Sequence, residues 1–330
     1  MSGRFSVAGF LRSSSVAALA VAVSLVSACS SDTESADAGG ETRVVETYYG
    51  EVEVPGDPQR IVGVSYDTPM QMMSLGVPLL GAQDYSRNQQ EFTADQRDYL
   101  SGTEPIGAFG ELDFEAVAAL EPDLIVGDAY EIDEQAYERL ALIAPTAIVF
   151  GENRGDWKPV VDALADIVGA EESLAEVSAA YEAKIAEMRD TYADQLDRQT
   201  FALVTVGVQE EQFSVQYPNG VPGDLYQDLG VTYAPSIPDE EPETGFAPFP
   251  YEQIPEILGQ ADVIVSPTRP DGTTIEALAP LFEHRLFRTL PSVEAGHAFE
   301  LTAPSRPLNY VLATRYLDAL GAQVLAEIPA

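Results

Sequence analysis

The chain has 330 residues, 45% of them hydrophobic and 22% charged, which gives room for two domains of ordinary size and excludes disorder and collagen-like repetition. Seventeen Lys and Arg stand against 54 Asp and Glu, a net charge of −37, so a phosphate backbone is repelled from every side and a nucleic-acid partner is excluded. One cysteine and two histidines, His284 and His297, are too few for a disulfide framework, a thiolate zinc site or a His-rich metal cage.

The N-terminus carries Arg4 and Arg12 without an acid, then an apolar run from Val16 to Leu25, then Val26-Ser-Ala-Cys29 and an abrupt change to small and acidic residues. That order predicts a secretory signal over residues 1–28, since about ten apolar residues are half of what a membrane-crossing helix needs. Small residues directly before the single cysteine resemble the lipobox of bacterial lipoproteins, which implies lipidation of Cys29 and an acidic tether over residues 29–43. Two or three acyl chains, at about 0.8 kcal/mol per buried methylene, would hold the folded body on the outer side of the cell membrane.

From residue 44 short β-type runs alternate with amphipathic stretches: Arg60–Ser65, Pro69–Leu75, Val77–Ala82, Asp113–Leu120, Asp123–Gly127, Glu134–Ile143 and Thr146–Phe150. The alternation predicts an α/β lobe with a mostly parallel sheet over residues 44–156. A second series, with Thr200–Gly207, Gly223–Leu229, Tyr251–Leu258, Asp262–Ser266 and a last helix from about Leu308 to Leu320, predicts a C-terminal α/β lobe over residues 199–330. Between them lies a helical segment, residues 157–198. Leu174, Val177, Tyr181, Ile185, Met188 and Tyr192 recur there at spacings of three or four, which marks one stripe of a helix over about 171–195. Glu171 and Glu172 open it and Arg189 sits in its later part, the charge order that complements a helix dipole.

Taken in order, these segments resemble the iron–siderophore and vitamin B12 branch of the substrate-binding proteins of ABC importers. The most specific stretch runs from Pro105 to Gly127, where a Gly turn, a helix start near Asp113 and a Pro-Asp-Leu-Ile strand entry follow one another. Supporting pieces are Asp57–Val62, Ala141–Thr146, Ile254–Val265 and Leu290–Phe299. The resemblance implies two Rossmann-like α/β lobes joined by a single long α-helix, the class III periplasmic-binding-protein fold. It also implies a monomer that captures a ferric siderophore and delivers it to the transmembrane subunits of an ABC permease.

Such a cargo already satisfies its iron with its own oxygens, so the receptor needs neither metal ligands nor a cofactor. It needs aromatic faces to pack on the complex and guanidinium groups to pair with its oxygens. Ligands of open α/β sheets meet the loops at the carboxyl ends of strands. That rule selects Tyr66, Tyr85, Arg87, Phe109, Tyr130 and Arg154 in the first lobe, and Phe213, Tyr217, Arg269 and Arg306 in the second. Basic residues are rare here, so at least two of the four arginines are expected to face the cleft. Where hydroxamate-binding members can carry an Arg in the Gly turn, this chain has Phe109, so an aromatic contact replaces an ionic one.

The resemblance further implies docking on the permease through one acidic residue on each lobe, Glu115 and Glu252 by motif position. Cobalamin and haem are the alternative ligands, with Tyr130 or Tyr217 as an axial group for haem, and a sensor is an alternative to an importer. An enzyme is the rival from another class. Gly63-Val-Ser-Tyr-Asp67 lacks the second Gly of a nucleophile elbow, and no P-loop, zincin or dinucleotide fingerprint is present.

Overall fold

The computed structural model describes residues 41–152, 155–306 and 308–329. The expected signal, Cys29 and Arg154 lie outside the described residues. The expected tether overlaps them only at its end, where ordered strand already begins at Thr42 rather than after residue 43.

An antiparallel hairpin, Thr42–Thr47 (β1) and Gly50–Pro55 (β2), precedes the first lobe. The lobe then runs through Ile61–Gly63 (β3), Thr68–Ser74 (α1), Gly81–Ala82 (β4), Ala94–Leu100 (α2) and Glu104–Pro105 (β5). A small hairpin, Gly107–Ala108 (β6) with Glu111–Leu112 (β7), leads into Phe114–Ala119 (α3), Leu124–Asp128 (β8), Glu134–Ala141 (α4) and Thr146–Val149 (β9). The strands order as β5-β4-β3-β8-β9, all parallel. Every residue of β3, β8 and β9 is buried, which is why these strands read as unbroken apolar runs: both faces of the sheet are covered. Asp113 and Asp133 start α3 and α4 by accepting backbone N–H groups of the first turn.

Trp157–Val168 (α5) ends on Gly169, whose φ of 72° is a conformation glycine adopts without steric cost. Glu171–Thr191 (α6) follows, 21 residues or roughly 31 Å of helix at 1.5 Å per residue. The sequence stripe is the face it buries. Tyr181 and Met188 lie in the core, with Leu174, Val177, Ile185 and Tyr192 packed against it. The helix stops four residues before the expected end, because Tyr192 leaves helical geometry (φ −115°, ψ 26°) and Ala193–Arg198 (α7) starts anew. No Gly or Pro marks this break, so the apolar period runs straight through it.

The second lobe contains Thr200–Val206 (β10), Gln212–Gln216 (β11), Gly223–Leu229 (α8), Thr232–Tyr233 (β12) and Phe246–Pro250 (β13). Ile254–Leu258 (α9), Val263–Pro267 (β14), Ala279–Glu283 (α10), Arg285–Arg288 (α11), Pro291–Glu294 (α12) and Ala298–Leu301 (β15) complete it. Its strand order is β13-β11-β10-β14-β15, with β12 beside β10. β10, β12, β14 and β15 pair in parallel, while β11 runs against them and pairs antiparallel with both β10 and β13. The prolines of β13 suit an edge strand, where a missing N–H leaves no gap in the ladder.

Tyr310–Leu320 (α13) returns from the second lobe and packs on α6. Asn309, fully buried, caps it through Oδ1 and donates from Nδ2 to the Met70 carbonyl of α1 at 2.7 Å. One buried cluster contains Val126 and Val149 of the first sheet, Leu164 of α5, Tyr181 of α6, and Leu203 and Val265 of the second sheet. The lobes therefore share a core. Opening them widely would expose it, and at about 25 cal/mol per Å² that opposes large closure motions.

Candidate functional site

The main cleft draws residues from both lobes. The first lobe supplies Asp67 after β3, Gln71 on α1, and Asp128, Tyr130 and Glu131 at the end of β8. The connecting segment supplies Asp156, Trp157 and Val160. The second lobe supplies Gln216 at the end of β11, Val221, Thr244, Phe246, and Ser305, Arg306 and Leu308 before α13. The cleft holds about 260 Å³ and opens to solvent. In the first lobe its walls are the carboxyl-end loops of parallel strands, the position the fold offers for a ligand.

Arg306 grips Asp67 with two prongs, Nε to Oδ1 at 2.9 Å and Nη2 to Oδ2 at 2.6 Å, and lies 5.5 Å from the centre of the Tyr66 ring. Behind it Tyr66 meets Tyr85 (5.0 Å) and, edge-on, Phe109 (5.6 Å). Tyr85 is buried and donates its Oη–H to the Tyr66 carbonyl at 2.7 Å. Burial, with Glu91 adding to it, pushes the Tyr66 phenol up to about 12, so it keeps its proton.

Glu131 accepts the Tyr66 backbone N–H (2.9 Å) on one oxygen and the Gln83 amide (2.7 Å) on the other. Asp128 accepts the Tyr130 backbone N–H at 3.0 Å. Burial, reinforced by Glu131 and Asp67, pushes the Asp128 carboxyl up to about 7, and burial raises Glu131 as well. Tyr130 is 39% exposed, donates to the Gly151 carbonyl at 2.9 Å and lies 5.1 Å from the Phe150 ring. Trp157 is buried beneath the cleft floor with its indole N–H on Asp224.

Of the ten ligand-binding candidates, Tyr130 and Arg306 line this cleft, and Tyr66, Tyr85 and Phe109 form the aromatic cluster behind Arg306. Arg154 lies outside the described residues, and the remaining four do not line the cleft. Arg87 is exposed beyond β4 and outside the cleft lining. Arg269 is spent on its own turn, with its N–H on the Thr273 carbonyl (2.9 Å) and its guanidinium on that of Thr274 (3.2 Å). Among the described arginines Arg306 lines the cleft. Phe213 and Tyr217 are core residues, 0% and 3% exposed. They share the buried face of β11 with Val215, and Gln216, one position along, takes the opposite face. The burial of Tyr217 also removes it as an axial group for haem.

Glu115 and Glu252 are both exposed, each in the first turn of a short helical element. Sequence reasoning missed Asp67, Gln71, Asp128 and Glu131. For the three carboxylates the signal was the same strand-end rule, hidden because acids are so frequent in this chain, and Gln71, an amide within α1, carried no such signal. Among the described residues no three His, Cys, Asp or Glu are grouped so as to hold a metal ion. Nor is any described helix long and apolar enough to cross a membrane.

Comparison with known proteins follows the same lines. The family model described as Periplasmic binding protein matches residues 72–304. The "Probable siderophore-binding lipoprotein YfiY" of Bacillus subtilis is 28% identical over 215 residues, 64% of each chain, so the match spans just under two thirds of that relative. The iron(3+)-hydroxamate-binding protein YxeB of the same organism is 24% identical over 86% of this chain and 87% of its own. The siderophore periplasmic binding protein from the fuscachelin gene cluster of Thermobifida fusca superimposes with a TM-score of 0.71 at 27% identity. That likeness covers 83% of this chain and 99% of the other.

Proposed function

The chain belongs to the periplasmic binding protein family, and we propose that it is an extracytoplasmic solute-binding lipoprotein that captures a ferric siderophore and delivers it to an ABC permease. The observation that carries this reading is the cleft itself. Strand-end loops of the first lobe face a second lobe across a shared, already packed core. Aromatic faces (Tyr130, Phe246) and one two-pronged guanidinium (Arg306) line it. These groups recognise the outside of a bulky complex by packing and directed hydrogen bonds, and leave the iron to its chelator. The siderophore-binding names of the relatives support the same cargo class.

The role is binding rather than catalysis, with no cofactor. Anchoring through Cys29 and a monomeric state complete the proposal. Docking on the permease through Glu115 and Glu252 fits their exposure, since a carboxylate at a helix start is favoured by the dipole and stays open to a partner's arginine.

Equilibrium dialysis of the full chain against ferric hydroxamate, catecholate and carboxylate complexes, with cobalamin and haem as controls, tests the reading. Retention of a ferric complex at one per chain is the expected result. Retention of cobalamin or haem alone would replace the cargo, and retention of nothing would remove the transport role.

A further inference from the structure

The first-lobe wall of the cleft is built from hydrogen-bond acceptors. Asp67, Asp128 and Glu131 stand together on the loops after β3 and β8, and of the three only Asp67 has an ion-pair partner among the described residues, Arg306 at 2.6 Å. The donors that reach Asp128 and Glu131 are neutral: backbone N–H groups of Tyr130 and Tyr66, and the Gln83 amide. Neutral donors orient a carboxylate without cancelling its charge. A second observation comes from α1. Gln71, 4% exposed and part of the same wall, has a buried Oε1 with no hydrogen-bond partner. Buried acceptors are almost always paired, so an orphan beside a cleft marks a place where the occupant supplies the donor.

We propose that the cleft selects ferric complexes whose periphery carries a protonated amine or guanidine, and that this arm docks on Asp128 and Glu131 beside the Asp67–Arg306 pair. The inference rests on the substrate-binding reading and narrows it to cargo of neutral or positive charge. Asp128 is buried and Glu131 half-buried, so an arriving cation gains charge-assisted hydrogen bonds to Glu131 and favours the ionised form of Asp128, whereas an anionic complex brought against the same wall meets like charge in a medium that screens poorly.

The test is titration of the full chain, followed by Trp157 emission, with three probes. They are ferrioxamine B, a ferric trihydroxamate with one free ammonium; its N-acetylated form, which keeps the iron core and loses the charge; and an anionic ferric tris-catecholate. The expected order is ammonium form tightest, by about tenfold over the acetylated form, with the catecholate weakest. In Asp128→Asn and Glu131→Gln that advantage should shrink to about threefold or less, and in the wild type it should shrink with added salt. Asp128→Asn keeps the size of the side chain and the oxygen that accepts the Tyr130 backbone N–H, so it is expected to fold, and the salt series needs no variant. Equal binding of the ammonium and acetylated forms, or tighter binding of the catecholate, overturns the inference and leaves the transport reading standing. Binding of none of the three while a ferric carboxylate complex binds overturns the inference alone, and binding of no ferric complex at all overturns both.

Discussion

Arg306 and Asp67, 239 positions apart in the chain, close on each other through two hydrogen bonds of 2.9 and 2.6 Å, and so tie the segment before α13 to the loop after β3. The pair sits at the cleft's edge, with side chains 40% and 22% exposed, and it holds a positive charge beside Asp128 and Glu131. Its loss would be felt in both stability and binding.

Arg306→Ala leaves Asp67 facing two further carboxylates without a counter-charge. A loss of about 1–3 kcal/mol in urea unfolding is expected, less than for a fully buried pair because part of the pair is wet. Arg306→Lys should recover only part of it, since an ammonium cannot serve both oxygens in one plane. Adding Asp67→Asn to Arg306→Ala should restore stability relative to the single variant, and a double-mutant cycle reads the coupling directly. No coupling would mean that the pair is incidental.

Stability should fall as pH rises toward neutrality. Burial pushes both Asp128 and Asp224 up to about 7. For Asp224 the Trp157 and Lys158 groups pull the other way, and Asp228 adds to the rise. A folded chain that holds protons an unfolded aspartate releases near 3.8 is favoured in acid. The contribution is full below about pH 4 and lost by about pH 7, with an upper bound of about 4 kcal/mol per group. Melting temperatures measured across this range should therefore be highest on the acid side. Asp224→Asn should stabilise at about pH 8 and have little effect at about pH 5. A flat profile for the wild type would contradict the buried, uncompensated state of these carboxyls.

Tyr130 and Tyr217 separate a cleft residue from a core residue of the same type. Tyr130→Ala should weaken ferric-complex binding by about tenfold through loss of an aromatic face, and Tyr130→Phe should keep most of it. Tyr217→Phe should leave affinity unchanged. A reversed pattern in calorimetric titration would move the ligand to another wall.

Glu115→Ala and Glu252→Ala should leave ligand affinity and melting temperature unchanged, because both side chains are exposed and neither lines the cleft. Uptake of labelled ferric complex by cells carrying either variant should drop severalfold, and the double variant should abolish it. Normal uptake by the double variant would place the permease contact elsewhere.

Much of the architecture could be read from periodicity alone. The unbroken apolar runs at Ile61–Gly63, Leu124–Asp128 and Val263–Pro267 are buried strands, and the stripe from Leu174 to Met188 is the buried face of α6. What escaped was decided by parity and by tertiary pairing. A strand turns its faces every residue, so choosing Tyr217 instead of Gln216 selected the core in place of the cleft. The antiparallel side of the second sheet escaped because β13, Phe-Ala-Pro-Phe-Pro, reads as a loop until β11 pairs with it. Arg306 was legible as a rare base before the last helix. Asp67 was not, because nothing in a chain with 54 acids distinguishes the one that meets it. Arg269 shows the converse, a rare base that its own turn consumes.

In the proposed role, this cleft grips an already chelated cargo from outside. The single tryptophan, Trp157, lies against the cleft, so its emission reports occupancy without a label. Titration with a ferric siderophore, with the iron-free chelator and with a soluble ferric salt in parallel, separates chelated from bare iron as the cargo. Saturable quenching by the ferric complex at one per chain, with none from the salt, is the predicted result. Saturable quenching by the ferric salt alone, or by none of a broad set of ferric complexes, would contradict it.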